Sequence, residues 1–119
     1  MNKATLEMVV KTMEELGWDV RVTEDGRVCK FELQQYSPAG QDFNVYVEAA
    51  CLYDLQDELN EKYENYDVSY ETYLWLDDTG HGENGSPYDM IDVYKDMKEC
   101  EKMLGELYYA IDELKDIED

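Results

Sequence analysis

The residue types best suited to chemistry lie in a glycine-rich segment, residues 78–86. Asp78, His81 and Glu83 fall within it and Asp77 precedes it, and carboxylate and imidazole groups are ligands for divalent metals. Their spacing does not match the D-x-[DN]-x-[DN]-G-x5-E calcium loop. Because His81 is the only histidine of the chain, a site built from several imidazoles is excluded. We therefore expect a solvated loop that binds no metal and no cofactor.

Catalytic motifs are also missing from the sequence. The chain has no GxSxG nucleophile elbow and no P-loop, the patterns that present a serine nucleophile or cradle a phosphate. A single histidine offers few ways to place a general base beside a nucleophile. We expect a protein that is not an enzyme.

Acidic side chains form the second concentration of chemistry, along the last predicted helix. Asp92, Glu99, Glu106 and Glu113 recur every seven residues, which places them about 10.5 Å apart on one side of a helix. Further acids crowd the C-terminus of that helix, where the helix dipole favours cations; fraying of an exposed end is the alternative to a function. The candidate partner-binding residues are Asp92, Glu99, Glu106, Tyr109, Asp112, Glu113 and Asp116.

The charge balance limits the class of partner. Thirty Asp and Glu face ten Lys and Arg, for a formal net charge of −20, and residues 48–119 carry −17 of it. Such an excess either keeps a protein soluble or forms a surface for a basic partner. It opposes direct binding to nucleic acid, because phosphate and carboxylate groups repel each other. Most of the eleven tyrosines lie in the same acidic part, where they either pack under helices or belong to a binding face.

Composition and cysteines predict the class of protein. With 119 residues, 44% of them hydrophobic, the chain is expected to form a single acidic domain over residues 1–119. Cys29, Cys51 and Cys100 are far apart and form no CxxC pair, which favours reduced thiols in the cytoplasm. The first residues lack the apolar run of a signal peptide, and no stretch approaches the about 18 apolar residues of a membrane span.

The first half of the chain predicts a helix followed by a three-stranded meander. Apolar residues recur at helical spacing over residues 3–16, with Asn2 as the cap and Gly17 after the end. Two alternating segments then flank Asp25-Gly26, the preferred centre of a two-residue type I′ turn. That turn places opposite each other residues whose numbers sum to 51: Val22 and Cys29, Val20 and Phe31, Trp18 and Leu33. A third strand follows, with Phe43, Val45 and Val47 pointing inward.

The second half predicts helices, with one ambiguous segment. Residues 49–66 carry Leu52, Leu55 and Leu59 on one side of a helix. Residues 68–77 alternate as a strand does, although Ser69 could cap a short helix. Ser86-Pro87 then begins a helix that extends to about residue 117. Its heptad a and d positions are all apolar, so this stripe either covers the sheet or forms the seam of a homodimer. Gly105 occupies an outward b position, where a kink or a close backbone contact is expected.

Three stretches of sequence carry a resemblance to a known family. They are Leu-Gly-Trp-Asp-Val at residues 16–20, Tyr-Ser-Pro-Ala-Gly-Gln-Asp-Phe at residues 36–43, and the stretch between Tyr-Asp-Val and Leu-Trp at residues 66–75. The chain resembles a family of small acidic proteins from gut Firmicutes and their mobile elements. The resemblance implies a helix for residues 69–77 and implies no catalytic residues; the segment 80–85 is longer than the family pattern. In charge and size alone, the chain is also similar to DNA-mimic inhibitors such as antirestriction and anti-CRISPR proteins.

Together these observations predict an α+β fold, a three-stranded antiparallel meander over residues 18–48 covered by helices, with a long C-terminal amphipathic helix. We expect a non-enzymatic protein that binds a basic, nucleic-acid-handling protein as an inhibitor or regulator. Twenty net charges over a domain about 35–40 Å long approach the density of duplex DNA, one charge per about 1.7 Å. The alternative is a general interaction module or homodimer whose acidity serves solubility. An acidic face on one side would favour the first reading, and an even coat of charge the second.

Overall fold

Three antiparallel strands and four helices make up residues 1–78 and 90–114, the part of the chain that the computed structural model describes. In chain order they are α1 (Lys3–Glu15), β1 (Asp19–Asp25), β2 (Val28–Tyr36), β3 (Asp42–Ala49), α2 (Leu52–Asn65), α3 (Val68–Asp78) and α4 (Met90–Leu114). The strands are ordered β1-β2-β3 in one sheet. The predicted α+β class, the meander and the long last helix are confirmed.

The inner face of the sheet provides the floor of the core. Phe31, Leu33, Val45 and Val47 point to this side and are buried, whereas Asn44, Tyr46 and Glu48 are exposed on the other side. The strand alternation predicted for β3 is therefore confirmed. The helices cover the inner face with buried residues that include Val9, Met13, Leu52, Leu55, Leu59, Leu104, Leu107 and Ile111. Burial of this apolar surface is the main stabilising term of the fold.

The hairpin between β1 and β2 differs from its predicted register. Val20 pairs with Leu33 and Val22 with Phe31, so opposing residues sum to 53 and the predicted Val20–Phe31 pair is wrong. The loop consists of Gly26 and Arg27, because Gly26 has a φ of 64° and primed turns require a positive φ at their first loop position. The shift moves pairing by two, so every side chain keeps its predicted face. The predicted register would have set Asp19 opposite Glu32 and Arg21 opposite Lys30, two like-charge pairs. The observed register instead places Arg21 opposite Glu32, which is favourable.

The segment after α2 is a helix, as the resemblance implied and against the strand-like alternation. α3 begins at Val68, and Asp67 caps it by accepting a hydrogen bond from the Tyr70 N–H at 3.1 Å. The predicted cap, Ser69, lies inside the helix instead. Thr72 is buried and donates its hydroxyl to the Val68 carbonyl oxygen at 2.7 Å. The spacing of apolar residues and the cap predicted at Ser69 therefore both failed to locate the start of this helix, which is capped by Asp67.

α4 packs its apolar stripe against the rest of the chain. Val93, Met97, Cys100, Leu104, Leu107 and Ile111 are buried, so this stripe covers the core, and a homodimer seam would have to use other residues. The predicted helix start at Ser86-Pro87 lies outside the described residues. The predicted outward position of Gly105 is wrong. Gly105 is buried, and a Cβ atom there would come within 2.9 Å of the Tyr63 ring, which confirms the expected close contact.

The contact between Gly105 and Tyr63 predicts that the effect of Gly105→Ala on stability changes sign when Tyr63 is replaced. Gly105→Ala should lower the free energy of unfolding by about 1–3 kcal/mol through overpacking, although Ala favours a helix by about 1 kcal/mol over Gly. In a Tyr63→Ala background the obstacle is absent, so the same substitution should stabilise the protein. Urea unfolding of the four proteins measures both effects; equal destabilisation in both backgrounds would show that Tyr63 is not the obstacle.

Candidate partner-binding surfaces

The predicted acidic row on α4 exists, but lysines interrupt half of it. Asp92, Glu99, Glu106 and Glu113 are all exposed, as their heptad position requires. Three exposed lysines, Lys95, Lys98 and Lys102, share the first half of the helix with Asp92 and Glu99. Only the second half, with Glu106 and Glu113, is acidic without a lysine within the described part of α4.

The other predicted site residues are placed in part. Tyr109 is 58% exposed and packs edge-on against Tyr63 and at a tilt against Tyr108. Asp112 is half-buried one position before Glu113, so it lies beside the row. Asp116 lies outside the described residues. α4 therefore brings Glu106, Tyr109 and Glu113 onto its outer surface as predicted, and it mixes the remaining acids with cations.

A denser acidic surface lies on α2, where sequence analysis placed no site. Asp54, Asp57, Glu58 and Glu61, here called the α2 stripe, are all exposed and line a groove together with Glu48 at the end of β3. No Lys, Arg or His belongs to the described lining of that groove. The spacing i, i+3, i+4, i+7 marks one side of a helix. The same periodicity test that located apolar stripes could therefore have found this acidic one.

The α2 stripe costs stability, except at its first residue. Asp54 accepts a hydrogen bond from the Ala50 N–H at 3.3 Å and sits in the first turn of α2, where the helix dipole favours an anion. Glu58 and Glu61 instead stand four residues from another acid, Asp54 and Asp57 respectively, and each such pair destabilises a helix by about 0.2–0.5 kcal/mol. Glu58 also stands four residues before Lys62, a spacing that favours a helix. The like-charge pairs still oppose folding, which is the pattern expected of residues that serve a partner or solubility.

One carboxylate is buried, and it holds the loop between β2 and β3. Asp96 on α4 is 4% exposed. It accepts hydrogen bonds from the Ser37 hydroxyl at 2.5 Å, from the Ala39 N–H at 3.0 Å and from the Gln41 side-chain amide. The Ser37 hydroxyl oxygen also accepts the Gln41 N–H at 2.9 Å. Three residues of the Tyr-Ser-Pro-Ala-Gly-Gln-Asp-Phe stretch, Ser37, Ala39 and Gln41, are thus explained structurally, because they bind this single aspartate.

The buried thiol on α4 has the properties of a core residue. Cys100 is 1% exposed, and burial, with the nearby Asp96 carboxylate, raises the pKa of its thiol to about 12. Burial likewise raises the pKa of Tyr66, whose hydroxyl lies 3.5 Å from the Met97 sulfur. Both groups stay neutral at physiological pH, and a thiol that is not ionised is a poor nucleophile.

Metal, nucleotide and membrane binding are further functions that the sequence and the described residues bear on. Within residues 1–78 and 90–114, no group of three or more His, Cys, Asp and Glu side chains is arranged to hold a metal ion. Residues 80–85, Gly-His-Gly-Glu-Asn-Gly, match the bare GxGxxG pattern, but helix α3 precedes them and the dinucleotide fingerprint requires a strand there. The loop predicted around His81 and Glu83 lies outside the described residues. None of the described helices has both the length and the hydropathy of a membrane span.

Comparisons with protein-family models, with curated proteins and with solved structures found no match to this chain.

The buried Asp96 network predicts a large loss of stability from a small change. Asp96→Asn would turn an amide N–H₂ toward groups that donate hydrogen bonds, so we expect a loss of about 1.5–3 kcal/mol, the range for hydrogen bonds to a charged group. Glu99→Gln, an exposed residue one turn further along α4, is the control and should change stability by about 0.5 kcal/mol or less. Equal values for the two variants in urea unfolding would contradict a holding role for Asp96.

The raised pKa of Glu71 on α3 predicts that the free energy of unfolding rises on mild acidification. Partial burial, and then the negative charge of Asp67, raise the pKa of Glu71, so the folded protein holds this proton at a pH where the unfolded chain has lost it. Stability should therefore increase as the pH falls through the raised value, and the gain should end near the ordinary Glu pKa of about 4.3. Thermal unfolding between pH 7.5 and 5 should show a smaller rise in Tm for Glu71→Gln than for the native chain; identical slopes would remove Glu71 as a contributor.

Proposed function

We propose that this protein is a non-enzymatic, acidic binding protein that occupies a basic, nucleic-acid-handling surface of another protein. The observation that supports this most is the α2 stripe with Glu48. These five carboxylates line one groove, and the described lining of that groove contains no cation. A surface of one sign raises the local concentration of an oppositely charged partner and speeds its association.

The dimensions of the molecule support mimicry of a nucleic acid. The chain is elongated, measuring 47 × 23 × 22 Å. A duplex of the same length carries about 28 charges at one per 1.7 Å, against a net charge of −20 for this protein. The two charge densities therefore lie within a factor of two, and a basic groove shaped for a nucleic-acid backbone would meet a comparable field.

The exposed aromatic residues would add contact area at low entropic cost. Tyr36, Tyr46, Tyr53, Tyr70, Tyr73, Tyr94 and Tyr109 are exposed over 38–65% of their surface. Tyrosine contributes apolar area and a hydroxyl while fixing few rotatable bonds. We also propose a cytoplasmic location, which the free thiols of Cys29, Cys51 and Cys100 support.

The proposed function predicts competition with nucleic acid. Proteins captured from a host lysate should be basic, and excess duplex DNA or RNA should release them. The triple variant Asp57→Lys, Glu58→Lys, Glu61→Lys should weaken capture by a factor on the order of ten and should still fold, because these side chains are exposed. The matched control reverses three exposed acids of α1, Glu7, Glu14 and Glu15, and changes the net charge equally.

Each outcome discriminates between the two function classes. Equal loss of capture in the two triple variants would mean that total charge acts and that the α2 stripe is not a surface of its own. Captured proteins that are not basic, or that nucleic acid fails to displace, would contradict mimicry. The chain would then be a general interaction module or a homodimer whose acidity serves solubility.

A further inference from the structure

The outer edge of β3 presents backbone groups that no described residue binds. Ser37 donates its N–H to the Gln41 carbonyl oxygen at 2.8 Å, so odd-numbered residues of β2 bond to β3. Bonding alternates along an antiparallel pair, and in the β2–β3 register this turns the N–H and C=O groups of Asp42, Asn44, Tyr46 and Glu48 away from β2. We call these four residues the β3 edge.

The two ends of β3 differ in how its outward backbone groups are satisfied. Just past the strand, the outward groups of Ala50 are bound locally: its carbonyl oxygen accepts the Met1 ammonium at 2.8 Å, and its N–H donates to Asp54. No described residue makes a backbone hydrogen bond of this kind to the β3 edge. Proteins protect such edges with charged residues, especially Lys, with Pro, with a bulge or with a covering element. β3 contains neither Lys nor Pro, its charged residues are Asp42 and Glu48, and its register with β2 is continuous over eight residues.

A groove runs along this edge. Residues 42–46 of β3 line it consecutively, and the opposite wall comes from Lys62, Asn65 and Tyr66 at the end of α2, Glu71 of α3 and Leu104 of α4. Five consecutive strand residues can line one groove only if the groove follows the edge of the strand. Among the described residues, a groove therefore lies beside the first part of the β3 edge, and the last part, at Glu48, borders the acidic groove of the α2 stripe.

We propose that the β3 edge docks an extended segment of a partner protein, in which basic residues alternate with apolar ones, by adding a fourth strand to the sheet. This rests on the proposed function, since it gives the basic partner a defined binding mode. Side chains of an added strand on the open face would lie beside Asp42 and Glu48, which are exposed. Those on the inner face would meet Phe43, Tyr66 and Leu104, which share the lining of the groove with Lys62, Asn65 and Glu71.

A second copy of this chain fits the edge less well. The antiparallel β3–β3 register that pairs all four residues of the β3 edge places Asp42 opposite the Glu48 of the other copy, twice by symmetry. Like charges directly opposite each other destabilise a sheet, and each copy carries a net charge of −20. Charge complementarity thus selects a basic segment over self-association.

The experiment uses a defined probe, an N-acetylated and C-amidated octapeptide of alternating Lys and Val, with the full-length protein. Binding should slow hydrogen exchange of the Asn44, Tyr46 and Glu48 amides. Two further peptides have the same sequence but are N-methylated on alternate residues, one on the Lys and the other on the Val residues. Each keeps the charge and loses one of the two rows of backbone N–H donors. The peptide that loses the row facing β3 should bind at least tenfold more weakly. A Glu-Val octapeptide should not bind.

Two proline variants locate the site on the protein. Asn44→Pro removes an outward N–H without touching the β2–β3 ladder, and proline is tolerated at such edge positions. It should weaken binding of the Lys-Val peptide at least tenfold. Glu24→Pro is the matched control, because Glu24 is exposed and its N–H points outward on β1, the other edge of the sheet; it should leave binding unchanged.

The outcomes separate this inference from the proposed function. Undiminished binding to Asn44→Pro, or equal binding of both N-methylated peptides and the parent, would show adhesion by charge alone and overturn strand addition. Slow exchange at Asn44 and Tyr46 that grows with protein concentration, without peptide, would show that a second copy occupies the edge. Loss of partner capture in the α2 variant, with full capture by Asn44→Pro, would contradict the docking mode and leave the proposed function standing.

Discussion

The burial of Asp96 is the constraint on which the placement of the other elements depends. A carboxylate that is nearly inaccessible to water is stable only when hydrogen bonds replace its hydration, and here the replacements come from the loop of residues 37–41. The loop joins β2 to β3, and Asp96 belongs to α4. This set of bonds therefore fixes where the long helix crosses the sheet and where β3 begins. The heptad stripe of α4 could slide by a turn and still bury apolar residues, whereas the carboxylate fits in one place.

The rest of the acidity is kept at the surface, where water stabilises it. The described acids of α2, Asp54, Asp57, Glu58, Glu61 and Glu64, are all exposed, so the fold tolerates them through hydration and not through pairing. Between two described residues a salt bridge forms at Lys30 and Asp25, 3.4 Å apart, and an exposed pair of this kind contributes little. Cohesion comes from the apolar core, and the charges oppose it. These charges therefore serve a purpose other than folding, either binding to a partner or solubility.

The acidic groove and the β3 edge have Glu48 in common. It lines the groove beside the α2 stripe, and its backbone belongs to the β3 edge. It also accepts a hydrogen bond from the Tyr46 hydroxyl at 2.6 Å, which is the largest cause of the raised pKa of Tyr46. A partner that neutralised the α2 stripe would thereby lie next to the β3 edge, whose outward backbone groups bind no described residue. The charges of the α2 stripe would then attract the partner from a distance, and the backbone groups of the β3 edge would bind it afterwards.

The sequence by itself determined most of the elements and their inward faces, although the alternation of residues 68–77 favoured a strand where α3 lies. The tertiary structure decided how the elements meet. Alternation, caps and glycines are local signals, so α1 with its Asn2 cap, the faces of β2 and β3, and the core stripe of α4 could all be read in advance. The hairpin register could not, because a shift of two leaves the hydrophobic pattern unchanged and only the φ of Gly26 and the cross-strand charges distinguish the two registers. Asp96 occupies an ordinary polar heptad position, and Gly105 an apparently exposed one. Their roles depend on Ser37, Gln41 and Tyr63, which are more than forty residues away in the chain and come close only when the helices pack on the sheet.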